Sequence, residues 1–477
     1  MEFFRKIGRW LALHKVIAIT TAVVLVSATV LTVVLVTRTP RSQILRIANW
    51  GTFMDASLRT EFEQYMRDVH DQRIRVRYTT YGSNEQLFNM MTRQRADFDL
   101  VVPSEYMVEK MITQNMLQPL DLNRLPNLTA TRNIEVDGTT IAVPILDPAV
   151  IDPMIASEIL GITGGVHFAI PYIYGTLGIA YDTSIDGLGD FIRDNGWRSL
   201  FNHNTEWFPA VSHVTERTWV PSVKNIGRDT FTVTMLAHYQ EDILNALRTQ
   251  TPAGVAEANR IFDEIFGGPT GTATQQAARW EEMLKTAEEL LEGLHPNVFF
   301  EGPDQLLSNM IDNAGTGNAR ADFGIEWSVS AAHTMDWNHH VGFHVPEEGT
   351  NLWINSFVIP QAARNVDVAY KFIDFISRPD NVFTNIDYVR GTTPILKASA
   401  DRLVYYRDEA TVGTGANDTF VTEAHRQQFI HAMFPRQFET IVHYDVKTGR
   451  SFRYLGSAVD ILIDLMLANV VATHGSR

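Results

Sequence analysis

Cysteine is absent from the 477 residues, which excludes disulfides, thiolate metal sites, cysteine nucleophiles and a lipid-modified N-terminal cysteine. That absence leaves the redox compartment open. Positive charge is scarce too: 40 Lys and Arg stand against 55 Asp and Glu, a net charge of −15. Phosphate backbones bind clustered cations, and no basic patch interleaved with aromatics occurs, so nucleic acid is excluded as a partner. Internal repeats and low-complexity tracts are missing. So are a dinucleotide fingerprint, a G-x-S-x-G nucleophile elbow and an H-E-x-x-H metal motif. "GGPTGTAT" (267–274) lacks the Gly-Lys-Ser/Thr ending of a phosphate loop and reads as a linker. No catalytic residue, metal or cofactor is assigned.

What is present begins with "VIAITTAVVLVSATVLTVVLV", Val16–Val36, uncharged and mostly apolar. About 20 such residues span a bilayer as a helix. Arg5, Lys6, Arg9 and Lys15 precede it, so the positive-inside rule puts the N-terminus in the cytoplasm and the remainder outside. A cleaved signal peptide is the rival reading, but the run exceeds a typical h-region and no clean A-x-A site follows. The expectation is an uncleaved single-pass anchor within residues 1–41, with the rest in the periplasm or on the extracellular face.

From Leu45 an alternation of strands and helices sets in. "LRIANW" reads as a strand, Ala56–Val69 as an amphipathic helix, Ile74–Tyr81 as a strand and Asn84–Gln94 as a helix. Asp97–Ser104 follows as a strand and Glu105–Gln114 as a helix. Apolar strand cores with helical crossovers indicate a parallel sheet covered on both faces, and ligands bind outside the carboxyl ends of such strands. Those ends carry Trp50 and Phe53 in "NWGTF", Tyr81, and Ser104 and Tyr106 in "VPSEY". Trp50 either crowns the core or faces a cleft, and the repetition of rings and hydroxyls at the third strand favours the cleft.

Val136–Val166 lacks periodicity and reads as an irregular insertion. Strand character returns in "FAIPYIYGTLGIAYD", "ADFGIEW" and "NLWINSFVIP". Helical patterns cover Arg228–Tyr239, Val255–Phe266, Thr274–Leu294 and Val366–Ile376. His339, His340 and His344 in "DWNHHVGFH" tempt a metal reading, but neighbours on a strand point to opposite faces and no companion carboxylate spacing exists. They read as a solvated hairpin. Trp50, Phe53, Tyr106, Trp327 and Trp353 all fall at or next to strand ends, and ring faces attract organic cations by about 0.5–2 kcal/mol per contact. The pattern describes a small-molecule site lined with rings.

"ANWGTF", "GSNEQLFNMM", "DFDLVVPSEYMVEKMITQNMLQPLD", "IPYIYGTLGIAYD" and "EEGTNLWINSFVIPQAARNVDVAYKFIDFISRPD" together resemble the solute-binding proteins of spermidine/putrescine ABC importers, in order over roughly 45–400. The match weakens at 136–166 and 243–293. The resemblance implies an α/β, bilobal periplasmic-binding-protein-like fold that closes on its ligand. By that analogy, residues 45–175 plus 354–398 form one lobe and 176–353 plus 399–477 the other, with crossovers near Gly175, Trp353 and Ala398. The ligand positions that it implies are Trp50, Phe53, Ser104, Tyr106, Asp229, Trp327, Trp353 and Asn355.

Two departures weaken the analogy with a polyamine site. Where the family carries an aspartate two residues after the second tryptophan, this chain has Asn355. The acidic position three residues before Asp229 is Ile226, or Asn225 if the alignment slips by one. An amide offers no charge and isoleucine neither charge nor hydrogen bond. The expected protein is a membrane-anchored, non-catalytic component that binds a polyamine or related organic cation. It would deliver this ligand to permease subunits with their ATPases. A sensor or scaffold with altered ligand, and a hydrolase on the same scaffold, are the rival readings.

Overall fold

The computed structural model describes residues 43–129, 131–136, 139–144, 167–208, 219–301, 313–318, 320–394, 401–414, 419–434, 442–443 and 446–475, with isolated positions 10, 14, 26 and 27. The anchor expected at Val16–Val36, the crossover near Ala398 and most of 136–166 lie outside the described residues.

Strand β1 (Ile44–Trp50) pairs in parallel with β2 (Arg75–Tyr81) on one side and β3 (Leu100–Val101) on the other. Its alternation buries both faces. Leu45 and Ile47 pack into a core with Leu58, Phe62 and Met66 of the helix Ala56–His70. Ala48 packs on the opposite side with Tyr81 and Val101. Asp55 caps that helix by accepting from the Ser57 amide at 2.7 Å, and Asp71 ends it in the left-handed region.

The third strand is shorter than the expected Asp97–Ser104. The Asp99 carboxylate takes the Arg46 amide at 2.9 Å, so a side chain replaces a ladder carbonyl there. Pro103, two residues after Val101, has no N–H to continue the ladder. Isolated bridges then run from Val101 to Val358 and from Ser104 to Asn355.

The second sheet has seven strands. Its centre is β6 (Ile170–Asp182). The segment expected to be an irregular insertion begins instead as a hairpin, β4 (Thr131–Val136) with β5 (Thr139–Pro144). Strands β7 (Pro221–Lys224), β8 (Phe299–Glu301), β9 (Phe323–Trp327), β10 (Val341–His344) and β11 (Thr350–Phe357) complete the set, together with Gly449–Arg450. The order runs Gly449–Arg450, β11, β6, β9, β7, β8, and β10 also pairs with β6. The first half of β6 lies against β11 and the second half against β9. Gly175 and Trp353 sit opposite each other in that register. A Cβ on Gly175 would come within 2.5 Å of both the Trp353 ring and Ser328 Oγ, so only glycine fits.

The helix Gly227–His238, fed by β7, is buried on nearly every side. Thr234 Oγ1 donates along the helix to the Thr230 carbonyl at 2.7 Å, and Thr230 Oγ1 donates back to the Lys224 carbonyl at the end of β7. The C-terminal helix, Ser457–Gly475, which the sequence reading did not anticipate, packs on it and on Ala273–Glu292. Its window Ser457–His474 is apolar and long enough to cross a membrane by length and composition. Ile463, Met466, Leu467 and Val470 are nonetheless buried against the second core, while Ile461, Leu462 and Leu465 are exposed.

The histidines do not form the solvated hairpin expected. His339 and His340 occupy the turn before β10, and β10 joins the edge of β6. His344 is half-buried on that strand, and burial holds its imidazole down at about 4.

Candidate ligand cleft

The predicted residues fall into two groups, most of them at strand ends, with Trp353 and Asn355 inside the strand Thr350–Phe357. The first is built from rings. Trp50, at the carboxyl end of β1, donates from Nε1 to the Val102 carbonyl at 3.0 Å, and its ring lies 5.0 Å from Tyr81. The Tyr81 hydroxyl donates to the same carbonyl at 2.6 Å. Phe53 follows in the turn, 6.3 Å from Trp50 and 6.0 Å edge-on from Trp353. Its carbonyl accepts from the Tyr172 hydroxyl at 2.7 Å. Trp353 is nearly buried, and its Nε1 has no hydrogen-bond partner among the described residues.

Ser104 and Asn355 meet directly. Ser104 Oγ donates to Asn355 Oδ1 at 2.8 Å, beside the register shift between Asn355 and Ser356. The amide oxygen expected to receive a ligand amine is therefore already engaged. Next to Ser104, Glu105 is fully buried and accepts the Ile354 amide at 2.9 Å and the Phe452 amide at 3.3 Å. Burial still pushes its carboxyl up to about 7.

Tyr106 is set apart from the ring triplet. Its hydroxyl donates to Glu85 at 3.0 Å, and its ring lies near Phe452 and below the Arg228 guanidinium.

The second group is charged. Asp229 lies in the first turn of Gly227–His238, nearly buried, with Oδ2 lacking a hydrogen-bond partner among the described residues. Burial raises its carboxyl to about 7, against the opposing pull of Lys224 and Arg228. The helix N-terminus at this place favours negative charge, but the polar side of that effect is outweighed by loss of water. Trp327 ends β9. Lys224 ends β7, two residues beyond the Ser222–Gly324 pairing. Parallel register therefore brings Lys224 beside Glu326, and Nζ reaches Oε1 at 2.7 Å with both side chains buried. The same Nζ stands 4.0 Å from the Trp327 ring centroid. Glu326 Oε1 also accepts the Trp327 amide at 2.7 Å.

Sequence reasoning missed Lys224 and Glu326. The signal was present: "PSVK" and "GIEW" are neighbouring parallel strands, each ending at the cleft. Ile226, the residue read at an acidic position, caps the helix with extended backbone and no side-chain hydrogen bond.

The chain is similar to the putrescine-binding periplasmic protein PotF of Escherichia coli K12, at 24% identity over 386 residues, covering 78% of this chain and 85% of that protein. It is likewise 24% identical over 376 residues to the spermidine/putrescine-binding periplasmic protein of Salmonella typhimurium, covering 77% and 84%. Among solved structures, the substrate-binding protein PotD of the Streptococcus pneumoniae spermidine/putrescine ABC transporter superposes with a TM-score of 0.56 at 21% identity. That superposition covers 90% of this chain and 99% of the other, and it fixes the fold as a periplasmic binding-protein fold of mixed helix and sheet. The model of one family, described as bacterial extracellular solute-binding protein, matches residues 58–412. With that match across most of its length, the chain belongs to the bacterial extracellular solute-binding proteins.

Proposed function

We propose that this protein is the extracytoplasmic solute-binding component of an ABC importer and takes an organic cation of the polyamine class, without a catalytic step. The observation that carries the reading is Asp229: a nearly buried carboxyl with an unpartnered oxygen among the described residues, at the start of the helix that follows β7 and within the field of Lys224 and Glu326. Relatives named for putrescine and spermidine support the ligand class. The ligand would lie between two lobes, 45–175 with 354–398 and 176–353 with 399–477, which move about the paired Gly175 and Trp353. Trp50, Phe53, Ser104, Tyr106, Trp353 and Asn355 would approach it from one side, Trp327 and Asp229 from the other. Permease subunits with their ATPases would receive it.

Calorimetric titration of the full chain with putrescine, spermidine and a monoamine tests this. Removing one partner of a buried charge pair costs about 2–5 kcal/mol, so Asp229→Asn should weaken the best ligand by at least about tenfold. Absence of heat with all three cations would sink the reading. Loss of labelled putrescine uptake on deletion in the host separates an importer component from a sensor.

The uncharged run Val16–Val36 further supports a retained N-terminal anchor. Protein from the native host should then keep Met1–Arg41 and resist extraction by carbonate. An N-terminus beginning near Ser42 would show cleavage instead.

A further inference from the structure

Trp327 is one of the rings expected to receive a ligand cation, yet its face is already occupied by this chain's own Lys224, 4.0 Å from the centroid. A cation within about 6 Å of an indole centroid is held by the ring quadrupole. Lys224 also satisfies Glu326 at 2.7 Å, and the two side chains are 1% and 0% exposed. The pair sits at the carboxyl ends of adjacent strands, where ligands of such sheets bind. An ammonium on an alkyl stem, lying on an indole and against a carboxylate, has the same chemistry as one end of a polyamine.

The neighbouring cation does not share this place. Arg228 donates from Nη2 to the Phe266 and Arg453 carbonyls at 3.2 and 2.5 Å. Its Nη1 approaches Asp460 at 3.6 Å. Asp229 accepts neither of these cations directly and keeps its Oδ2 unpartnered among the described residues. Of the two carboxylates nearest Lys224, Glu326 carries the buried ion pair and Asp229 has none among the described residues.

We propose that Lys224 is a tethered alkylammonium that fills one amine subsite of the cleft, leaving Asp229 to a ligand with a single charged end. The proposal rests on the organic-cation reading and deepens it, since it makes Lys224 the residue that sets how many ammonium groups the site accepts. Asn355 and Ile226 supply no charge at the two positions read as acidic in the resemblance, so a second ligand ammonium lacks those partners.

Chemical rescue tests it. Lys224→Ala cuts the side chain back to Cβ, and n-propylammonium supplies the three missing methylenes and the ammonium. Thermal unfolding of the full-length variant is followed in n-propylammonium chloride and in equimolar potassium chloride. The expected result is a rise in midpoint that increases with the amine and exceeds that of potassium. The variant should also bind putrescine at least tenfold more tightly than the unaltered chain. K224A/E326Q, which lacks the carboxylate that holds the ammonium, should show neither effect.

If K224A fails to fold alone, its refolding yield in the amine becomes the readout, and recovery is expected. No response to n-propylammonium beyond that to potassium, in midpoint or in refolding yield, overturns the proposal. A rescued K224A together with an unaltered chain that binds no amine would overturn the polyamine-class reading while leaving the role of Lys224 standing.

Discussion

The ring-lined and the charged parts of the candidate site are built on opposite principles. Around Trp50, Phe53 and Trp353, neutral hydrogen bonds to the Val102 and Phe53 carbonyls and edge contacts between rings fix the geometry. Around Trp327, a buried ion pair does the fixing. A neutral hydrogen bond contributes about 0.5–1.5 kcal/mol net. A buried charge, by contrast, is tolerable only with its partner present. The rings can therefore lose a contact and keep their places, whereas the charged side is all-or-none.

The sharpest way to break that contrast is at Glu326. Glu326→Gln keeps an acceptor for the Trp327 amide but strands Lys224 in the core. Stability should fall by about 3–5 kcal/mol, read from urea unfolding. K224M/E326L, which removes both charges and keeps apolar volume, should return most of it. A single variant no worse than the double would mean that the ammonium reaches water in the folded state. At the ring side, Trp50→Phe removes the bond to Val102 together with part of the ring packed on Tyr81 and Phe53, and should cost about 1–2 kcal/mol.

The difference also explains what could be read from the amino-acid order. Trp50 is visible because it lies next to its own turn in "NWGTF", whereas Trp353, expected at or next to a strand end, falls within the strand Thr350–Phe357. The helix Val366–Ile376 was likewise visible to the residue from its apolar spacing. Lys224 and Glu326 lie about a hundred positions apart, and only the register of two parallel strands makes them neighbours. The short β3 was hidden for a related reason. The Asp99 carboxylate intercepts the ladder from outside the local pattern, and it also accepts the Arg364 and Asn365 amides.

Acidity provides a second, smaller test, since three buried carboxyls are raised to about 7: Asp229, Glu105 and Glu348. Burial is the main cause in each. Glu348 accepts the Trp197 amide at 2.5 Å, which only partly offsets it. A carboxyl raised on folding leaves stability intact below its unfolded value near 4, and that stability is lost as pH rises through about 7. The thermal midpoint should therefore fall between pH 5 and pH 8, and Glu348→Gln, at a carboxyl that is not one of the expected ligand positions, should flatten the fall. Cation binding should run the other way, strengthening with pH as Asp229 ionises. Binding that weakens across the same range would exclude Asp229 as the ligand's partner.

A further effect is expected at Asn355, which pairs with Ser104 on the ring side. Asn355 is nearly buried and its Oδ1 already accepts from Ser104 Oγ, so Asn355→Asp keeps that bond and adds a charge on the ring side. Without ligand the new carboxylate has one hydroxyl for a partner, and the unliganded midpoint should drop. A ligand with a second ammonium restores what is lost, because that ammonium supplies the missing opposite charge. Putrescine should accordingly gain about tenfold in affinity, about 1.4 kcal/mol, while a monoamine held by Asp229 gains nothing. Midpoints with and without each ligand, alongside calorimetry, give both quantities. An equal gain for the monoamine would show that the new charge acts through the general field of the cleft, and that Asn355 does not face the second end of the ligand at all.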